Sequence, residues 1–271
     1  MTDRIPVAVL GATGLVGQEI VRLLGDHPWF DLVAVGASDR SVGRRYGDAR
    51  HHETHDPRPA TRDLIVSPCT PDGIDAPIVF SALDSGVAGE VEEAFAAAGA
   101  LVVSNARNHR LDDDVPLLIP EVNAAHLALV ERQRAGRRWD GAIVTNPNCS
   151  TSVIALTLAP LHQAFSLREY WVTTLQAVSG AGYPGVASLD ILGNVVPWID
   201  GEEEKISVES RRILGTFDQG AVCPADFGVS AQVTRVPVEH GHTACVAARF
   251  ERPVTAAEAE AALRAWRPSI G

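Results

Sequence analysis

The stretch from Ile5 to Leu24 constrains this chain more than any other. A short apolar, β-branched run, Ile5–Leu10, enters Gly11-Ala12-Thr13-Gly14-Leu15-Val16-Gly17, and an amphipathic stretch, Leu15–Leu24, follows at once. A strand that passes through a glycine turn straight into a helix packs best in a parallel, helix-covered sheet. Each glycine has its own reason in such a turn. Gly11 permits the sharp reversal, Gly14 lets the backbone approach a pyrophosphate, and Gly17 lets the helix lie close to the strand. The helix N-terminus then offers N–H donors and a partial positive charge to that pyrophosphate. Glycine spacing alone is a weak signal and also suits a ligand-free βα turn. The strand before it and the helix after it are what point to dinucleotide binding.

The alternation continues along the first half. Residues 31–36 and 77–82 and Leu101–Ser104 read as strands, and the alanine-rich residues 87–98 read as a helix. Residues 39–73, rich in Arg, His, Asp and Pro, read as irregular surface loops. Ala142–Thr145 is again strand-like and residues 150–161 helical. The texture then changes to long β-rich runs at residues 170–178, at residues 229–238 and at Thr243–Phe250. The last two are separated by a turn at His240-Gly241, and together the three predict an open, largely antiparallel sheet. A chain of 271 residues suits two domains, with the boundary near Cys149: 1–148 and 149–271. A final helix begins at Thr255, with Glu258 at the capping-box position.

Composition narrows the function. With 46% hydrophobic and 21% charged residues this is a globular chain, and its net charge of −11 argues against nucleic acid or an anionic membrane as partner. An anionic small molecule stays compatible, because a local basic pocket can oppose the global charge. No apolar run is long enough to span a bilayer, and no secretory signal precedes the first strand. Cys69, Cys149, Cys223 and Cys245 are too scattered for a metal site and too few for a disulfide framework. A reduced, cytoplasmic protein without a bound metal is expected.

After the second strand comes Ala37-Ser38-Asp39-Arg40-Ser41-Val42-Gly43-Arg44. Asp39 could take a ribose 2′-hydroxyl, as an acid does in NAD-binding folds. The hydroxyls and arginines around it favour a 2′-phosphate instead. Arg40 can fork a phosphate, and Ser38 and Ser41 can donate to one, so NADP is preferred over NAD. A solvated basic loop is the plainer alternative.

Asn146-Pro147-Asn148-Cys149-Ser150 lies where a strand ends and a helix begins. A thiol there feels the positive end of the helix dipole, which favours thiolate and makes Cys149 a candidate nucleophile. A cysteine by itself is more often a small buried hydrophobe. Gln176 stands where a β-run meets the glycine-rich Ser179-Gly180-Ala181-Gly182, and Glu202-Glu203-Glu204-Lys205 opens a helix. Such a charge run is usually only a solvated helix start. Arg235-Val236-Pro237-Val238-Glu239-His240-Gly241-His242 offers an arginine able to clamp a carboxylate and two histidines able to act near neutral pH.

With GATGLVG, ASDRSVG, SNARNHRLDDDVPLLIPEVN, NPNCS, QAVSGAG, EEEKI and RVPVEHGH in this order, the chain resembles the aspartate-semialdehyde dehydrogenases of the archaeal and fungal branch over nearly its whole length. Asn148 before Cys149 separates it from the related N-acetyl-glutamyl-phosphate reductases, which carry glycine there. The resemblance implies an α/β fold with a Rossmann-like NADP-binding domain and an α+β catalytic and dimerisation domain of the glyceraldehyde-3-phosphate-dehydrogenase type. It implies reversible, NADP-dependent conversion of L-4-aspartyl phosphate to L-aspartate 4-semialdehyde through a cysteine thioester, in lysine, threonine and methionine synthesis. Cys149 matches the nucleophile, His242 the general acid/base and Gln176 the residue that orients the acyl-enzyme. Arg235 matches the holder of the substrate carboxylate, and Glu202 the partner of its amino group. Lys205 and Arg110 match the phosphate site, and Asn148 joins the substrate contacts. Cofactor contacts are implied at Gly11, Thr13, Gly14, Leu15, Val16, Ser38, Arg40, Ser41, Ser81 and Gly182. His240 competes with His242, but His242 follows the glycine of the family pattern. A homodimer or homotetramer is implied as well. Members of the family continue for several dozen residues past the point matching Gly271, with a helix that completes the NADP site. A malonyl-CoA reductase on the same scaffold and a non-catalytic NADP-binding or oligomerisation fragment are the alternatives.

Overall fold

A computed structural model describes residues 4–50, 55–268 and 270. The chain forms two compact units: Met1–Pro116 with Leu129–Asn146, and Leu117–Ala128 with Pro147–Gly271.

In the first unit β1 (Ile5–Leu10) leads through the glycine turn into α1 (Leu15–Leu24) and then β2 (Phe30–Ala37). The region expected to be irregular holds two one-turn helices, α2 (Tyr46–Ala49) and α3 (Pro59–Arg62), and an edge strand, β3 (Val66–Pro68). Residues 51–54 of that region lie outside the described residues. The polar composition hid a buried anchor: Tyr46 is fully buried, its N–H donates to the Leu64 carbonyl, and Val66 pairs with Val35. The unit continues with β4 (Ile78–Ser81), α4 (Ser85–Ala97) and β5 (Leu101–Ser104), and closes with a later helix (Leu129–Arg137) and β6 (Ala142–Thr145). All six strands are parallel, in the order β3-β2-β1-β4-β5-β6. This is the doubly wound dinucleotide-binding order, whose direction reverses between β1 and β4. Alternate residues of β1 serve opposite faces: Ala8 and Leu10 pack in the cluster that holds Phe95, Val7 and Val9 in the cluster that holds Val21 and Tyr46. A strand buried on both faces is why residues 5–10 form an unbroken apolar run rather than an alternating one.

The second unit begins early. Leu117–Ala128, placed before the boundary by the sequence reading, packs here, because Leu117 and Ile119 bury themselves against Ala155 and Ile213. This segment carries the short α5 (Pro120–Asn123); the Leu129–Arg137 helix of the first unit is α6. The main body runs α7 (Cys149–Phe165), β7 (Leu167–Gln176), a one-turn α8 (Ser188–Ile191), α9 (Glu202–Ile213), the small β8 (Thr216–Asp218) and β9 (Ala221–Cys223) pair, β10 (Gly228–Arg235), β11 (Thr243–Phe250) and α10 (Ala256–Ala265). Its three-stranded sheet has the order β10-β7-β11. The antiparallel expectation holds for β11 on β7 but not for β10, which runs parallel to β7. The residues around His240-Gly241 therefore do not form a hairpin tip: β7 lies between the two strands they connect. One face of the sheet buries Tyr170, Val172 and Val233 with Ile154 and Leu158 of α7 and Ile206 of α9. The other face presents Trp171, 46% exposed, among Ser230, Thr173, Cys245 and Ala247. Thr255 caps α10 in a complete capping box with Glu258. Among the described residues no helix is long and apolar enough to cross a membrane, and no group of His, Cys, Asp and Glu side chains could hold a metal ion.

Candidate active site

The glycine turn of the first unit has the close approaches its sequence demands. A Cβ on Gly17 would lie 2.1 Å from the Gly11 carbonyl oxygen, so only glycine lets α1 pack this tightly on β1. Gly11 has φ +69°, and a Cβ there would lie 2.5 Å from the Ala82 carbonyl oxygen. Gly14 caps α1 without a side chain, and a Cβ on it would meet nothing nearer than the Gly11 oxygen at 3.5 Å. The first N–H groups of a three-turn helix thus receive no side-chain cap, with Leu15 and Val16 forming its opening residues. This surface fits the pyrophosphate of a dinucleotide.

The other implied cofactor residues divide. Ser38 and Arg40 are exposed just past β2, at the place where a 2′-phosphate is read. Thr13, Ser41 and Ser81 are buried, so their hydroxyls are not on the surface. Ser81 Oγ turns inward and donates to Glu92 Oε1 at 2.5 Å, and Ser104 Oγ donates to the same oxygen at 2.8 Å. Ser81 can therefore serve a cofactor only through its backbone. Gly182 belongs to the second unit, exposed, with φ +70°. Arg110 is buried in the first unit, where it donates to the Asn105 carbonyl at 2.9 Å.

The second unit builds a centre around Cys149. Asn148 Oδ1 accepts from the N–H groups of Ser150 (3.0 Å) and Thr151 (3.3 Å), which starts α7 one residue after the asparagine and places Cys149 in its first turn. His242, just before β11, brings Nε2 to 3.1 Å from Cys149 Sγ. His240 is turned to solvent beside Glu239, so of the two histidines it is His242 that stands beside the thiol. Gln176 and Arg235 end neighbouring strands and are directly paired in register, both buried. Gln176 Nε2 donates to Glu202 Oε2 at 3.4 Å, and Arg235 donates to the Ala177 carbonyl at 2.9 Å. Glu202, at the start of α9, also accepts from Asn148 Nδ2 (2.8 Å) and from Lys205 Nζ (2.7 Å). Cys149, His242, Gln176, Arg235, Glu202, Lys205 and Asn148 are thus gathered in one unit. Asn148 bonds within this centre through both ends of its amide and organises the turn that carries Cys149.

Electrostatics qualify the simple dipole argument. Burial by surrounding atoms pushes the Cys149 thiol up from its ordinary value and the Glu202 carboxylate pushes it further, although Cys149 as a whole residue is exposed. The N–H groups of Ser150 and Cys149 pull the other way without prevailing. Burial and the Arg235 charge hold His242 below its ordinary value, with Glu202 opposing. Both shifts favour a neutral thiol and a neutral imidazole at rest. For Glu202 burial works against the charge, but Lys205, Asn148 and Gln176 outweigh it and keep the carboxyl below its usual range.

Glu209 was missed in the sequence. Buried on α9, its Oε2 accepts the Asn148 N–H at 2.6 Å and pins the turn that carries the nucleophile. Its signal was positional: Glu202, Ile206, Glu209 and Ile213 share the buried stripe of α9, so a carboxylate there demands a partner.

A doubly wound sheet in one unit and a thiol–imidazole pair on a mixed sheet in the other define a dehydrogenase of the semialdehyde type. Residues 6–130 match the model for the semialdehyde dehydrogenase NAD binding domain, and residues 158–270 the model for its dimerisation domain. The aspartate-semialdehyde dehydrogenase of Archaeoglobus fulgidus is 49% identical over 98% of this chain and 77% of its own length. That of Cryptococcus neoformans is 48% identical over 97% of this chain and 76% of its own. The crystal structure of aspartate semialdehyde dehydrogenase with NADP from Candida albicans superimposes with a TM-score of 0.89 at 39% identity, covering 98% of this chain and 78% of that one. The chain belongs to the aspartate-semialdehyde dehydrogenase family.

Proposed function

We propose that this chain catalyses the reversible, NADP-dependent reduction of L-4-aspartyl phosphate to L-aspartate 4-semialdehyde and phosphate through a thioester on Cys149. The observation that carries the reading is the 3.1 Å approach of His242 Nε2 to Cys149 Sγ at the N-terminus of α7, with Arg235 and Glu202 beside it. Arg235 and Glu202 have opposite charge and both act on the same thiol. An α-amino acid needs such a pair: the guanidinium forks the carboxylate, and the carboxylate receives the ammonium. A malonyl group has no ammonium to offer Glu202, which favours the aspartyl substrate.

In the reductive direction the neutral His242 imidazole takes the proton of the Cys149 thiol, and the thiolate so formed attacks the acyl carbon. A C–S bond forms, the C–O bond to phosphate breaks, and phosphate leaves with its bonding pair, opposed in charge by Lys205. Arg110 is proposed for the phosphate on its sequence pattern alone. Gln176, fixed by Glu202, orients the thioester, and His242 attends the reacting sulfur. A nicotinamide dinucleotide held at the Gly14 turn and by Ser38 and Arg40 would supply the hydride for the thioester carbon. The resulting oxyanion re-forms its carbonyl, the C–S bond breaks, and the aldehyde leaves with the thiolate restored on Cys149. Splitting acyl transfer from reduction replaces one difficult step by two easier ones. On the cofactor side the open face of Gly14, with exposed Ser38 and Arg40, supports NADP. The uncovered sheet face around Trp171 supports a homodimer or homotetramer, and a thiol that must stay unoxidised supports a reducing, cytoplasmic setting.

The test is NADP reduction by the purified chain with L-aspartate 4-semialdehyde and phosphate. Phosphate-dependent turnover that Cys149→Ala abolishes is expected. No turnover, or full activity in Cys149→Ala, overturns the proposal.

A further inference from the structure

Just past the carboxyl ends of β5 and β6 stand two half-buried asparagines, Asn105 and Asn146. Their backbones are fixed to the sheet. The Asn105 N–H donates to the Ser81 carbonyl at 2.9 Å, and the Asn146 N–H to the Ser104 carbonyl at 3.0 Å. The Asn105 carbonyl accepts from Arg110 at 2.9 Å. An asparagine after a strand usually bonds within its own turn. These two reach each other across 41 residues instead: Asn146 Nδ2 donates to Asn105 Oδ1 at 2.8 Å. Two facing amides can exchange two such bonds, and this pair makes one. Among the described residues, neither the Asn105 Nδ2 donor nor the Asn146 Oδ1 acceptor bonds to a protein group. Reversing both amides would exchange their roles and still leave one N–H2 donor and one carbonyl acceptor.

The place selects the ligand. A dinucleotide lies across the carboxyl ends of a doubly wound sheet at the point where the strand order reverses, here between β1 and β4. Its pyrophosphate belongs to the Gly14 turn after β1, and its 2′-phosphate to Ser38 and Arg40 after β2. The other half must then extend over β4, β5 and β6. With strands ~4.8 Å apart, β5 and β6 lie ~10 Å and ~14 Å from β1. That half ends in a nicotinamide ring, whose hydrogen-bonding substituent is a carboxamide, a carbonyl acceptor beside an N–H2 donor. We infer that Asn105 and Asn146 hold this carboxamide, Asn105 Nδ2 donating to its carbonyl and Asn146 Oδ1 accepting from its N–H2. The inference rests on the NADP reading of the first unit.

Two bonds to one substituent fix the rotation of the ring, and so which of its faces is offered to the reacting carbon. The pair is itself anchored. Next to Asn105, buried Ser104 gives its hydroxyl to Glu92 at 2.8 Å and takes the Ala106 N–H at 3.1 Å. A neutral ligand group suits the place. In either orientation of the pair an anion would meet an unpaired amide oxygen, acceptor against acceptor.

Binding tests this without turnover. Isothermal titration calorimetry on the purified chain compares NADPH with 2′-phospho-ADP-ribose, which keeps the adenosine, 2′-phosphate and pyrophosphate but has no nicotinamide. Asn105→Ala removes the donor and Asn146→Ala the acceptor. Each should weaken NADPH about 10-fold and leave 2′-phospho-ADP-ribose within about twofold, which also shows that the variant is folded. The 3-acetylpyridine analogue of NADPH keeps the carbonyl but lacks the N–H2, and should lose less from Asn146→Ala than NADPH does. Unchanged NADPH binding in both variants, or an equal loss for NADPH and 2′-phospho-ADP-ribose, overturns the inference. A wild-type chain that binds neither ligand overturns the NADP reading itself, and the inference with it.

Discussion

Gly180→Ala separates catalysis from stability. The added Cβ would lie 2.9 Å from Arg235 Nη1 and 2.9 Å from His242 Cε1, against an ordinary contact limit of 3.4 Å. Both side chains must therefore retreat by about half an ångström. Arg235 can flex, but His242 is held by the Ala177 N–H and can only swing relative to Cys149. Misplacing a reacting group by ~1 Å costs on the order of 100-fold in rate. Half that displacement predicts a loss of ~10-fold in kcat/KM, about 1.4 kcal/mol of transition-state stabilisation. Stability should change little. Gly180 is not among the glycines with positive φ, so the backbone itself accepts alanine, and the gain of about 0.4–1 kcal/mol from restricting the unfolded chain offsets part of the cost of moving the two side chains. Steady-state kinetics and a thermal melt on the same preparation are sufficient. Wild-type kcat/KM, or a loss of activity with a matching drop in Tm, refutes the reasoning.

Three further outcomes are expected. The rate of Cys149 alkylation by iodoacetamide should rise with pH and inflect above the ordinary thiol value of 9.0, because burial and Glu202 raise it; an inflection well below 9.0 would show a resting ion pair. Glu209→Ala removes the acceptor of the Asn148 N–H and leaves a buried donor unpaired, at a cost of ~1–3 kcal/mol, and should lower kcat more than it changes KM; an unchanged kcat counts against a positioning role. Glu92 sits fully buried, its carboxyl raised by burial above 4.5, so the folded state holds a proton that the unfolded chain releases. That contribution is complete below 4.5 and is lost as pH climbs through the folded value, so Glu92→Gln should flatten the fall in Tm with rising pH; an unchanged slope would contradict it.

Where a few adjacent residues carry the cause, the sequence alone determined the result. Gly11 and Gly17 announce a turn that tolerates no Cβ, and an unbroken apolar run before them announces a strand buried on both faces. Asn148 before Cys149 announces a capped helix with a thiol in its first turn, and Thr255 with Glu258 a capping box. Their geometry is local and follows from backbone sterics and orphan N–H groups. Tertiary structure decided whatever depends on partners far along the chain. It inserted β7 between β10 and β11, turned His240 to solvent and brought His242 to the thiol. It moved Leu117–Ala128 to the second unit, drew the Ser81 hydroxyl inward to Glu92 and set Glu209 beneath the nucleophile turn. It also raised the thiol that the helix dipole alone would lower, since solvation and the charge on Glu202 belong to the assembled site and not to any one segment.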